Sequence, residues 1–573
     1  MVPASLACPD WLEKLQRGET PIAALDLNQK KADHAARIFS MLQIPDVHGQ
    51  PSMREAAGDW IFDIIRAVFG SVQDDLNRRI REYFILVPKK NSKTTTGAGI
   101  MLTALLNNER HFAEFILIGP TQAIAEISFR QAVGMIKADR SGNLQKVLHI
   151  QEHTKTITHR VTEARLMVKT FAADVMTGVK PVGVLVDELH LLGTKAKAVQ
   201  VLQQITGGII ANPEGFIIYI TTQSDSPPAG VFKSKLNLAR AVRDGENTIT
   251  HDLLPVLYEF PTKMQADDDA VWKDPKYWPL VLPNNGRSIT VDRLVTDYEK
   301  AQAEGPEALA VWASQHLNIQ LGIALNHEGW AGARYWPERT DDTITIKSMI
   351  ERCEVITAGL DGGGLDDLFG LALIGREKET NNWLTWGRAW AQSDVLDLRK
   401  DISENLRDFQ ADGDLIICEP GDPLRDVLDV ADILQLIDEA GLFPESGGIG
   451  VDPMGISTTV DELDARGIRD PKVCAVAQGF RLSSAVWGME RKLKDGTLIH
   501  ADQELMTWCV GNARAEQRGN AIHITKQVAG KAKIDPLVAM FNAFFLMSRN
   551  PVAAGNMSTP WDEDENFSLT AAA

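Results

Sequence analysis

The residues of this 573-residue chain whose types and spacing could do chemistry fall into two groups. The first is Lys93-Thr94 in the stretch YFILVPKKNSKTTTGAGI, with an acidic pair, Asp187-Glu188, at the end of VGVLVDELH. The second is three aspartates: Asp361 ending VITAGLD, Asp452 ending GIGVD and Asp535 opening DPLVAM. A buried strand, a tight polar turn and a helix start aim backbone N–H groups and a helix N-terminus at phosphates. Here the turn is Lys89, Lys90, Asn91 and Ser92. Lys93 would reach the phosphates of ATP, and the Thr94 hydroxyl would hold Mg2+. The general pattern is G-x-x-x-x-G-K-[ST], and its two glycine positions are Val87 and Ser92. A lysine-rich surface turn is therefore the competing reading of this segment alone. An apolar strand ending in two acids supplies the missing half of such a site. Asp187 would bind the Mg2+ shell and Glu188 would polarise the attacking water. Thr221 and Thr222 end the next strand. They would sense the γ-phosphate, or are simply β-branched strand-end residues.

Three carboxylates from separate elements can converge on two Mg2+ ions about 4 Å apart and cleave a phosphodiester. Hard oxygen ligands suit Mg2+, and Mn2+ can substitute. Asp367 follows Asp361 closely enough to be an extra ligand. Each aspartate also has a plain structural use. Asp535 can be a helix N-cap with Pro536 in the first turn, and Asp361-Gly362 is a hairpin dipeptide. Two basic segments, RKLKDG (491–496) and TKQVAGKAK (525–533), flank this group, and a hairpin or loop there would touch a DNA backbone. A solvated surface turn explains the first equally well. Lys531 and Lys533 lie just before Asp535.

These residues need strands and helices to hold them. YFILV, FILIG, VGVLV and FIIYITT are short apolar runs alternating with helical patterns. That alternation predicts a largely parallel sheet with helices on both faces. Beyond residue 343, VITAGLD, LFGLALIGRE and WLTWGRAW predict three successive strands. LIICE (415–419) and GIGVD follow, separated by a helix at 426–440, and DPLVAMFNAFFLMSR predicts a closing helix. The fold class is α/β twice over: an ATPase sheet, then a ribonuclease H-like nuclease. We divide the chain into an N-terminal helical segment (1–55), an ATPase domain (56–258), a linker or lid (259–342), a nuclease domain (343–555) and a disordered tail (556–573). HIQEHTKTITH carries His149, His153 and His159. Its alternation favours a strand over a metal site.

Composition narrows the class. A formal net charge of −18 does not suit a protein that merely coats nucleic acid, although one basic surface on an acidic body can still grip it. Five cysteines without a C-x-x-C pair argue against a zinc ribbon or a disulfide framework. No apolar run approaches a membrane span, and the first residues lack signal-peptide features. A cytosolic protein is expected.

Residues 55–550 resemble the large terminase subunits of tailed bacteriophages. The resemblance rests on DWIFDIIRAVFG before the loop, on VPKKNSKT, on VGVLVDELH, on DPKYWPLVLP and HLNIQLG, and on AGLDGGGLDDLFGLAL, IGVDPMG and KIDPLVAM. Ser92 replaces the glycine usual in that family. Ile61 follows Trp60 where a glutamine that reads adenine often stands. The resemblance implies a homo-oligomeric ring on the portal protein of a procapsid, ATP-driven translocation of double-stranded DNA, and cutting of the concatemer. A small terminase subunit would select the DNA, and the work would take place in the host cytoplasm. Arg130, Arg140 and Lys180 are candidates for the cation that ring motors supply to a neighbour. Two other functions remain open from the residues: a helicase–nuclease of repair or defence, and an ATP-binding scaffold without nuclease activity.

Overall fold

A computed structural model describes residues 6–171, 180–193, 195, 197–246, 252–266, 271–321, 330–362, 364, 366–400, 402–422, 424–452, 457–519, 521–526 and 533–556. The chain divides into two compact units, Met1–Leu321 and Gly322–Ala573. The break falls inside the segment 259–342 expected to connect two domains. No described helix is long and apolar enough to cross a membrane.

In the first unit the strands are β1 (Glu82–Leu86), β2 (Glu114–Gly119), β3 (Leu148–Gln151), β4 (Thr156–His159), β5 (Arg165–Thr170), β6 (Gly183–Asp187), β7 (Phe216–Thr221) and β8 (Leu253–Leu257). They form one sheet in the order β3-β4-β5-β2-β6-β7-β1-β8. From β5 to β8 the neighbours are parallel. These strands read as continuous apolar runs because both faces are covered, and β6, β7 and β8 are buried throughout. The expected histidine-bearing strand is the antiparallel pair β3–β4, with His149 opposite Thr158. Strand β8 has no counterpart in the sequence reading. Its Pro255 lacks an N–H, and it accordingly takes the end position of the sheet.

Five helices place the site in this unit. They are α1 (Asp59–Gly70), α2 (Lys93–Leu106), α3 (Gln122–Ala138), α4 (Val291–Glu304) and α5 (Pro306–Leu317). Helix α1 buries Trp60, Ile61, Ile64, Ile65 and Val68, the face that its 3.6-residue spacing predicts. Ile61 is therefore a core residue, 2% exposed, and not a reader of a base.

The second unit holds β9 (Thr340–Asp341), β10 (Cys353–Gly362), β11 (Phe369–Glu377), β12 (Trp383–Gln392), β13 (Leu415–Cys418), β14 (Ile449–Val451), β15 (Val473–Ala475) and β16 (Leu498–Ala501). The order is β15-β14-β10-β11-β12-β16-β9, with β13 also paired to β12. Strands β10, β11 and β12 are the three successive strands expected, and they pair as an antiparallel meander. Among the helices are α6 (Arg425–Glu439), α7 (Ser483–Asp495) and α8 (Asp535–Met547). A hairpin, β17 (Ala513–Arg518) with β18 (Ala521–Lys526), stands apart from the main sheet. Helix α8 lies on β10 so closely that a Cβ on Gly359 would collide with the carbonyl oxygen of Ala539. Only glycine permits that approach. Asn542 Nδ2 donates to Leu360 O at 3.0 Å, and Thr357 Oγ1 to Ala543 O at 2.9 Å, so helix and strand are stitched as well as packed.

The segment RKLKDG is not a hairpin or loop. Arg491–Asp495 forms the end of α7, and Gly496 caps it in the left-handed conformation at φ +73°. Of TKQVAGKAK, Thr525 and Lys526 end β18, Lys533 is described, and Lys531 lies outside the described residues.

Candidate functional site

The phosphate-loop sequence leaves β1 and enters α2 as expected. Two of its residues, Lys90 at φ +69° and Ser92 at φ +60°, adopt the left-handed conformation that glycine takes without cost. Serine in that region costs on the order of 1–2 kcal/mol, so the surroundings must hold the loop in shape. They do so with hydrogen bonds from the segment beyond residue 259. Lys89 N donates to Gln315 O at 2.8 Å, and Ser288 Oγ donates to Lys90 O at 2.6 Å. Asn284 N donates to Asn91 Oδ1 at 3.0 Å, while Asn91 Nδ2 donates to Pro88 O at 3.1 Å. Trp60 Nε1 closes the chain by donating to Asn284 Oδ1 at 2.8 Å. The aromatic helix thus acts on the loop through Asn284.

Lys93 opens α2 and is 6% exposed. Burial pushes its pKa down, while the charges of Glu188 and Asp187 pull it back up. Asp187 sits at the tip of β6, two strands from β1 across β7. Its Oδ2 accepts from Ser128 Oγ of α3 at 3.1 Å, and its Oδ1 is buried with no hydrogen-bond partner among the described residues. Burial first, and the Glu188 charge second, raise the Asp187 carboxyl to about 7. A buried carboxylate oxygen without a partner, close to a buried lysine, fits a divalent cation with its phosphates. Removing such an oxygen from water costs several kcal/mol unless something replaces the lost hydration.

Glu188 turns the chain at φ +55°. Its Oε2 lies 3.3 Å from His190 Nδ1, outside hydrogen-bond geometry. His190 N donates to Thr221 Oγ1 at 3.1 Å, and its Nδ1 lies 3.0 Å from the same hydroxyl. Thr222 Oγ1 donates to Asn318 Oδ1 at 3.1 Å and to Gln315 O at 3.4 Å. Gln223 N also donates to Asn318 Oδ1, at 3.0 Å, and Asn318 Nδ2 donates to Tyr258 O at 2.8 Å. Thr221, Thr222, Gln223 and Asn318 are all 0% exposed. The two threonines therefore have specific partners beyond strand packing. The sequence offered no signal for Ser128 or Gln315, which come from distant segments, while HLNIQLG held Asn318 without marking its role and DELH hinted at His190. Arg130, Arg140 and Lys180 are all exposed, and Arg140 donates to Gly49 O at 3.0 Å.

In the second unit β10 and β14 are parallel with Leu360 opposite Val451, so Asp361 and Asp452 leave the two strands side by side. Asp535 opens α8, and a Cβ on Gly362 would stand 3.3 Å from the Asp535 Cβ. Backbone placement thus brings Asp361, Asp452 and Asp535 to one end of the sheet. Asp535 is 5% exposed and the other two are half-buried. As the side chains stand, no group of three His, Cys, Asp or Glu among the described residues is tight enough to hold a metal ion. The donor set, three carboxylates, suits a hard divalent cation. Asp367, the expected extra ligand, is ion-paired with Lys533: Nζ is 2.5 Å from Oδ1, and the Lys533 side chain is 3% exposed.

The chain matches two family models in sequence. The terminase large subunit ATPase domain matches residues 60–231, and the terminase large subunit endonuclease domain matches residues 427–550. The first span contains Lys93, Asp187 and Glu188, and the second contains Asp452 and Asp535. Protein YmfN of Escherichia coli (strain K12) is 22% identical over 297 residues, 48% of this chain, and the match covers 60% of that protein's length. The large terminase of bacteriophage HK97 is 19% identical, with 90% of this chain and 99% of that one covered, at a TM-score of 0.45. The large terminase of a thermophilic bacteriophage, in complex with ADP, is 11% identical, with 82% and 93% covered, at a TM-score of 0.27. Together the two family models account for more than half of the chain, ATPase before nuclease, and the chain belongs to the family of terminase large subunits.

Proposed function

We propose that this chain is an ATP-driven motor that moves double-stranded viral DNA into a procapsid and cuts the concatemer with its second unit. What carries the reading is the meeting of Lys93 with Asp187 and Glu188, where the buried Asp187 Oδ1 has no hydrogen-bond partner among the described residues. Lys93 and the Lys89–Thr94 turn bind the phosphates of ATP. Thr94 and Asp187 hold Mg2+, and Asp187 must shed its proton to do so. Glu188, with a side chain 21% exposed, orients and polarises the attacking water. In the nuclease unit Asp361, Asp452 and Asp535 hold Mg2+, or Mn2+ in its place. A divalent cation, when bound at either site, neutralises the charge that develops on the attacked phosphate. Lys533, two residues before Asp535, is ion-paired with Asp367.

The partners that fit this reading are DNA, the portal protein and a small terminase subunit, with the chain acting as a homo-oligomeric ring in the host cytoplasm. An acidic body leaves DNA contact to local basic surface and to backbone shape. The test is cleavage of supercoiled plasmid in Mg2+ or Mn2+ together with ATP turnover. The wild type should do both, Asp452→Ala should keep only turnover, and Glu188→Ala only cleavage. A wild-type chain that neither binds nor hydrolyses ATP would return the reading to a scaffold.

A further inference from the structure

His190 makes contacts that packing alone does not require. Its side chain is 7% exposed, and its ring meets Phe232 edge-on at 6.3 Å. Burial, then the charges of Lys93 and Lys89, hold its pKa down at about 3, so the ring is neutral and carries one proton. Nδ1 faces Glu188 Oε2 at 3.3 Å, and a carboxylate oxygen can only accept. It also faces a Thr221 hydroxyl that donates to Thr222 O at 3.1 Å. A proton on Nδ1 can be given to the Thr221 hydroxyl, whose own proton goes to Thr222 O, and it stands beside the Glu188 carboxylate as a charge contact rather than a hydrogen bond.

From that atom a continuous route runs through the unit. It passes from His190 to Thr221, along the strand tip to Thr222, and from the Thr222 hydroxyl to Asn318 and to the carbonyl of Gln315. The same Gln315 carbonyl accepts from Lys89 N of the phosphate loop. The acid at the tip of β6 and the loop after β1 are therefore joined through protein as well as across a bound nucleotide. Asn318 is held in the left-handed conformation at φ +55°, three residues before the end of the unit at Leu321.

We infer that His190 is a positioning residue: protonated on Nδ1, it holds the Glu188 carboxylate against the tip of β7, and Thr222, Gln315 and Asn318 carry that tip's position to the end of α5 and back to the phosphate loop. The inference rests on the ATPase reading of this site. It makes residues 315–318 the place where the state of the nucleotide site is read out.

The geometry names one nitrogen, and that makes the test specific. In His190→Asn the amide nitrogen takes the place of Nδ1, whereas in His190→Gln it takes the place of Nε2. With the full chain, His190→Asn should keep kcat within about threefold, and His190→Gln and His190→Ala should lower it about tenfold to a hundredfold, as expected for lost positioning. KM and the affinity for a fluorescent non-hydrolysable ATP analogue should stay within about twofold in all three. Independently of turnover, adding the analogue should slow amide exchange at 315–319 in wild type and His190→Asn but not in His190→Gln. Thr222→Val, which keeps the shape and removes the hydroxyl, should lose the same response and stands in if a histidine variant does not fold. Equal behaviour of His190→Asn and His190→Gln, or an intact response in Thr222→Val, overturns the inference. A wild-type chain that does not bind the analogue overturns the ATPase reading instead.

Discussion

The two units use the same device, acids at strand ends, but prepare it differently. In the first, Asp187 and Glu188 face a buried lysine, and the loop opposite is fixed by hydrogen bonds from Gln315, Ser288 and Asn284. In the second, Asp361, Asp452 and Asp535 share one sheet end, and the nearby buried cation, Lys533, is paired with Asp367. Like-charged carboxylates brought together raise one another's pKa, and among the described residues no three acids are close enough to hold a metal ion. A site that binds a phosphate chain can be built in advance by backbone and lysine. The sheet-end acids of the second unit are placed by strand register and by a closely packed helix.

The sharpest break of the comparison is chemical. Glu188→Gln should lower ATP turnover by about 10^3-fold, within the range for loss of a general base, and leave plasmid cutting intact. Asp452→Ala should do the reverse, losing cleavage by about 10^2–10^3-fold with ATP turnover unchanged. Cutting by Asp452→Ala at the wild-type rate would remove that residue from the site.

A third change tests the packing beneath Asp361 and Asp535. Gly359→Val places a side chain against Ala539 O and should cost about 3 kcal/mol in denaturant unfolding of the second unit, with nuclease loss following unfolding. A variant as stable as wild type would mean that α8 can lift from β10 without penalty.

Asp187 sharpens the contrast through pH. Its folded carboxyl titrates at about 7 against an ordinary value of 3.8, so between these values the folded state holds a proton that the unfolded state has released. Raising the pH through that window therefore favours unfolding. Without nucleotide or Mg2+, the Tm of wild type should fall more from pH 5 to pH 8 than that of Asp187→Asn. Parallel curves would show that the carboxyl is not perturbed. The smallest effect belongs to Ser92→Gly, which should raise stability by about 1 kcal/mol by relieving the left-handed serine.

Much of this was legible in the sequence because it is local. Runs such as FIIYIT and GVLVD are buried strands with acids or threonines at their ends, and Lys93 follows a strand directly. The register that sets Asp361 beside Asp452 follows from two strands ending in the same way. The rest is non-local, or lies in segments whose composition hides their conformation. Asn284 meets Asn91 across 193 residues, and Lys533 meets Asp367 across 166, with no periodic signal at either end. The charge of RKLKDG suggests a hairpin, loop or surface turn, but lysines in a last helical turn followed by glycine are a helix-end signal. LLPVL was hidden by its proline, which an end strand tolerates.

The contact at Gly359 has a mechanical consequence. Helix and strand are keyed together there, and hydrogen bonds from Thr357 and Asn542 lock the key on either side. Asp361 and Asp535 ride on these two elements, so they cannot slide past one another while the domain is folded. Amides of β10 should open to solvent only with the whole unit, and the nuclease should melt at the temperature of its core, neither before nor after it. Natural drift can silence such an enzyme by exchanging a carboxylate, but it cannot loosen the site by degrees.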